Sequence, residues 1–163
     1  MKLLQKMKQK KTDNKGFSLV ELIIVIAIMA ILVGIVGTQV VPYINNSKIA
    51  KDRELMNSFS TAAMTAYSSN AADITIPAAD ASGKQKLVVK VYTDTTGDAG
   101  TLATEIKNLT YISIPADKFS SNECKGAVDE VQVTYNFTDK TITVELLNST
   151  GTVIPIDAVV SDM

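Results

Sequence analysis

From Leu22 to Val41 the chain carries no charged side chain. As an α-helix these twenty positions span about 30 Å, the thickness of a bilayer's hydrocarbon core. The segment can therefore cross a membrane. In a chain of 163 residues it leaves room for one modest domain and little more.

Charge is distributed around this run in two unlike parts. Residues 1–16 hold Lys2, Lys6, Lys8, Lys10, Lys11 and Lys15 against Asp13, a net charge of +5, while residues 17–163 hold ten basic and sixteen acidic side chains, a net of −6. Lysines flanking an apolar helix set its orientation, so the N-terminus is expected to stay in the cytoplasm and the acidic portion beyond about residue 42 to be exported. An acidic main portion without a basic stripe argues against nucleic acid as a bulk partner. The single cysteine, Cys124, excludes an intrachain disulfide and reads as a small apolar residue. With no histidine, the commonest acid–base and metal-ligating side chain is missing, so an enzyme is not expected.

Three kinds of N-terminus begin with lysines and an apolar run. A secretory signal peptide has a shorter apolar core and a small-x-small cleavage site; cleavage after Gly37 would fit that reading. A plain signal anchor explains the lysines and the length but gives no reason for Glu21, one turn inside the helix. A carboxylate in hydrocarbon costs roughly 2.5 to 3.5 kcal/mol near a helix centre, less near the interface, and such residues usually have a partner and a function. A bland reading also exists, since negative charge is favoured at a helix N-terminus.

The run Lys15-Gly16-Phe17-Ser18-Leu19-Val20-Glu21-Leu22, with the apolar segment behind it, resembles the class III signal sequence of type IV prepilins and pseudopilins. The coupled parts are a basic leader, Gly before the cut, Phe after it, Glu at the fifth mature position and a long apolar helix. The resemblance covers about the first 55 residues and implies that a prepilin peptidase in the membrane cuts between Gly16 and Phe17 on the cytoplasmic side and methylates the new amine of Phe17. It further implies that Glu21 of an incoming subunit attracts the Phe17 amine of a subunit already in a filament, setting the axial register. The implied partners are copies of the same chain in a helical filament, the pilus assembly platform and its ATPase machinery, and the cytoplasmic membrane. No cofactor is implied.

These positions have a physical logic of their own. Gly16 tolerates unusual backbone geometry, which suits a peptide threading a narrow cleft just before a helix starts. Cutting there creates a positive charge on Phe17, four residues before Glu21, within reach along one helix or across neighbouring ones. Farther along, Ala30, Gly34 and Thr38 follow at spacing four, with Ala27 and Gly37 nearby, a track of small residues on which another helix can approach. Gly34, Gly37 and Pro42 mark a stretch where the helix can bend or lose hydrogen bonds. Many pilins carry a helix-breaking proline at the position of Thr38; here the proline comes one turn later, at Pro42.

Past Pro42 the pattern turns amphipathic. Leu55, Phe59, Ala62 and Ala66 recur at helical spacing, so the helix is expected to reach about Ser69 and bury this stripe against a globular head. Ser68–Gly83 reads as a loop, and strands are expected over Leu87–Tyr92, Tyr111–Ile114, Val128–Phe137 and Thr141–Leu147, with a short helix over Thr101–Asn108 and an edge strand over Thr152–Ile156. The expected fold is α+β: a long N-terminal helix packed on a small antiparallel sheet, pilin-like. The parts are a cleaved leader (1–16), a transmembrane and filament-core helix (17–42), an amphipathic helix (43–69) and a head (70–163).

Other chemistry is thin. Asp94-Thr-Thr-Gly-Asp98 offers two carboxylates to calcium, as a related loop does in some pseudopilins, but it lacks a dense ligand set and reads better as a polar turn. No other metal site is expected. Asn45, Asn108, Asn136 and Asn148 each open an N-x-[ST] triplet, a frequent chance match. The sequence thus points to a type IV pilus subunit, held in the cytoplasmic membrane as a prepilin and displayed at the cell surface when mature. A pseudopilin of a secretion or DNA-uptake apparatus and a signal-anchored surface binding protein are the alternatives.

Overall fold

The computed structural model describes residues 16–163; the basic leader up to Lys15 lies outside the described residues. The chain divides between Val41 and Pro42 into two compact units.

The first unit contains helix α1 (Leu19–Ile35) and a π-helical turn (Val36–Val40). Every residue of α1 is exposed, although nearly all are apolar. Such an apolar surface is unfavourable in water, and the helix is long and apolar enough to cross a membrane.

Helix α2 (Val41–Asn70) belongs to the second unit from Pro42 on, and it is followed by β1 (Lys86–Lys90), α3 (Gly97–Thr110), β2 (Glu130–Asn136), β3 (Thr141–Leu147) and β4 (Val159–Asp162). The four strands form one antiparallel sheet in the order β1-β2-β3-β4. Helical backbone runs without interruption from Leu19 to Asn70. The fold is thus the α+β arrangement expected from the sequence, a long N-terminal helix with a small antiparallel sheet.

Alternation builds the core. Val131, Val133 and Tyr135 on β2 and Ile142, Val144 and Leu146 on β3 are buried, and Met56, Phe59, Ala63 and Ala66 of α2 join the same cluster. From α3, Leu102, Ala103 and Ile106 complete it. Tyr135 donates its hydroxyl to the Ala63 carbonyl at 2.9 Å, so the largest buried side chain ties sheet to helix without an unmet polar atom.

A second set of contacts anchors the long α3–β2 connection to α2. Asp52, 1 % exposed, accepts the Ser120 amide through Oδ1 and the Ser121 amide through Oδ2, both at 2.9 Å. Two turns earlier on α2, Asn45 Oδ1 accepts the Asn122 amide at 2.9 Å and Asn45 Nδ2 donates to the Glu123 carboxylate at 3.1 Å. Cys124 is fully buried in this region, and burial pushes its thiol pKa up. It behaves as the small apolar residue expected.

Two expected strands are absent. Tyr111–Ile114 is not extended: Tyr111 caps α3 in the left-handed region, at φ 55°, and Pro115 starts a short 3-10 turn. The edge strand is not Thr152–Ile156, where only a single bridge joins Val153 to Leu147, but Val159–Asp162. The short helix expected over Thr101–Asn108 starts earlier, at Gly97, and runs to Thr110.

Candidate processing and assembly site

Ser18 initiates α1 with an extended backbone, φ −70° and ψ 140°. Its hydroxyl accepts the Val20 amide at 3.3 Å, and its own amide donates to Glu21 Oε2 at 2.8 Å. The two residues form a capping box, which satisfies amide donors that a helix start otherwise leaves free. Glu21 therefore has a local partner before any other chain is present. The sequence signal for this is Ser-x-x-Glu ahead of an apolar run.

Gly16 and Phe17 precede the cap. A Cβ placed on Gly16 would meet nothing within 4 Å, and its backbone is outside the left-handed region. Among the described residues, nothing requires glycine there. Phe17 is 88 % exposed, so the junction between the two lies open at the head of the helix.

Gly34 and Gly37 present the same contrast, each with open space where a side chain would stand. Glycine inside a helix costs roughly 0.5 to 1 kcal/mol relative to alanine. Among the described residues, nothing stands close enough to either position to demand it. Ala30, Gly34 and Thr38 lie along an exposed stretch of helix, and the Thr38 hydroxyl donates back to the Gly34 carbonyl at 3.1 Å.

The helix departs from α geometry within the Gly34–Pro42 stretch, at Val36–Val40. Pro42 explains the position. It has no amide to donate to the carbonyl four residues before it, and its ring crowds that carbonyl, so the preceding turn widens to a π turn.

A family model, described as the prokaryotic N-terminal methylation motif, matches residues 11–37. The chain carries a prepilin-type signal. The prepilin-type signal takes in the Gly16-Phe17 junction, the capping box and α1 together, and it supports a type IV pilin-like or pseudopilin protein. Such a protein is structural rather than enzymatic. A prepilin-type signal implies a prepilin peptidase and pilus assembly machinery as partners in general terms, and with the apolar helix it points to a membrane-anchored precursor. Neither the curated proteins nor the solved structures yielded a match to the chain.

The remaining candidates have local roles. Asp94 Oδ2 accepts the Lys90 amide at 2.7 Å, and Asp98 Oδ2 accepts the Thr75 amide at 2.9 Å. Each carboxylate closes a turn or tethers a loop, and no group of three or more acidic, cysteine or histidine side chains suited to a metal occurs among the described residues. Asn45 and Asn136 are engaged with neighbouring side chains, Asn148 Oδ1 accepts three bonds within its own turn, and Asn108 is exposed.

Proposed function

We propose that the chain is a structural subunit of a type IV pilus, inserted in the cytoplasmic membrane as a prepilin, cut between Gly16 and Phe17, methylated on Phe17, and polymerised through its N-terminal helix. The observation that carries this reading is Glu21: a carboxylate one turn inside an uncharged helix, directly behind the junction that the matched motif includes.

The local chemistry supports it. Glu21 Oε2 serves the capping box, and no hydrogen bond to Oε1 occurs among the described residues. One carboxylate can therefore close its own helix and accept the Phe17 ammonium of a neighbouring copy. Uncompensated, a charge in an apolar filament core is unfavourable; paired, it fixes the register of one subunit on the next. Gly16, unconstrained by its own fold, answers to the cleft of the peptidase. Ala30, Gly34, Gly37 and Thr38 let neighbouring helices approach, and the π turn before Pro42 is where α1 loosens as it packs. Because Glu21 is present, the chain reads as a body subunit of the fibre, displayed at the cell surface.

Glu21→Ala tests this. The Ser18 and Glu21 side chains lie beyond the cut, so processing should proceed and leave the mature chain in the membrane. Sheared surface filaments should be depleted. Filaments at normal abundance would contradict charge pairing as the assembly mechanism.

A further inference from the structure

We infer that the sheet of one head continues into the sheet of the next, β4 of one copy pairing with β1 of a second copy in the same orientation. The inference rests on the reading of the chain as a polymerising subunit and adds to it a specific contact between heads.

Both outer strands pair on one side only. At the two ends of β1, the amide of Val91 bonds to the Val131 carbonyl and the carbonyl of Gln85 accepts the Phe137 amide, which places the amides of Lys86 and Val88 on the open edge. On β4, the Met163 amide bonds to the Lys140 carbonyl and Ser161 pairs with Ile142, which places Val160 and Asp162 on the open edge. Side-chain direction agrees. Ser161 turns toward α2, where its hydroxyl meets that of Ser60, so Val160 and Asp162 face outward, on the same sheet face as Lys86 and Val88.

One antiparallel register satisfies both edges. Setting Val88 opposite Val160 sets Lys86 opposite Asp162, and all four residues have their amides and carbonyls aimed at the partner strand. Val88 is 45 % exposed and Val160 61 %, so the register brings two exposed valines together and an ammonium against a carboxylate. Pairing β1 with another β1 would instead bring Lys86 against Lys90, which like charge disfavours. The lysines thus guard β1 against its own kind and admit β4. At the far end Asp94 already occupies the Lys90 amide, which limits the added ladder to Lys86–Val89.

Strand direction sets the polarity. The sheet alternates in direction, so β4 runs opposite to β1, and a β1 added antiparallel to β4 runs with the first β1. The two copies point the same way. Such a heterologous contact, repeated, builds an open polymer rather than a closed pair. A ladder this short is weak alone but is strengthened when helices already hold the heads side by side.

Cysteines placed at Val88 and Val160 test the register in filaments of the full chain. Opposed Cα atoms in such a pair lie about 5.5 Å apart, within disulfide range, and buried Cys124 does not compete. Oxidised filaments of the V88C/V160C variant should give a ladder of covalent multimers on non-reducing gels, and either single variant should not. Filaments of the double variant without a ladder would overturn the head contact and leave the polymer reading standing. If that variant does not assemble, charge exchange decides: Lys86→Asp or Asp162→Lys alone should lower filament yield about two- to fivefold, and the two together should restore it. Failure of the combined exchange to restore the yield overturns the inference. Absence of filaments from the unaltered chain would remove the polymer reading and this contact with it.

Discussion

Asp52 and Ser121 lie 69 positions apart and are joined by a 2.9 Å hydrogen bond from the Ser121 amide to Asp52 Oδ2. With the Ser120 amide on Oδ1, this one buried carboxylate closes the α3–β2 connection onto α2. Asp52→Ala leaves two backbone donors near the interior without an acceptor. The expected loss is roughly 1 to 3 kcal/mol for each buried donor left unmet, less if water enters. The check is the thermal midpoint of the purified chain, which should fall by several degrees, whereas Glu54→Ala, an exposed neighbour on α2, should leave it unchanged.

Gly100 is a glycine for which the head leaves no room for a side chain. A Cβ there would collide with the Thr95 backbone carbonyl, and backbone does not yield as a flexible side chain does. Gly100→Ala must shift the start of α3, and overpacking of this kind costs about 1 to 3 kcal/mol. Chemical denaturation should show the loss as a lower midpoint with an unchanged slope. At Gly16, by contrast, alanine should leave stability untouched and affect only processing.

Alkaline pH should weaken the head through its tyrosines. Burial, with the Glu130 charge adding to it, pushes the Tyr92 hydroxyl up to about 12, and burial pushes Tyr135 up as well. The neutral phenol is therefore favoured in the folded state. Its contribution is complete below the unfolded value of about 10 and is lost as pH rises through the folded value. Urea midpoints measured from pH 9 upward should decline above pH ~10, and Tyr92→Phe, which cannot ionise, should flatten part of that decline.

At the acid end the exposed Asp139 responds first to its bond with Lys84, at 2.6 Å, and its pKa is lowered. A lowered carboxylate stabilises above its unfolded value and loses that contribution as pH falls through the folded one. Both side chains are solvent-exposed, so Lys84→Ala should move the midpoint of acid unfolding only slightly toward higher pH.

The prepilin-type signal was legible because its information is local. Gly16, Phe17 and Glu21 stand within six residues, and the apolar run that gives them meaning adjoins them. Thr141–Leu147 was equally plain, since strict alternation over a half-buried strand needs no distant partner to define it. Val159–Asp162 was missed for the opposite reason: two adjacent valines carry no period, and the strand exists because β3 offers it a partner. The Tyr111–Ile114 reading failed where Tyr111 adopts a left-handed cap that aromatic residues seldom take, and Pro115 ends any extension. Asp52 gave no signal as an anchor, because the amides it serves come from a loop far along the chain.

Cleavage between Gly16 and Phe17 is the step on which the proposed assembly depends. Intact-mass measurement of the chain recovered from membranes tests it most directly. The prediction is a species that begins at Phe17 and carries one added methyl group. A full-length chain, or a product beginning after Gly37, would contradict it.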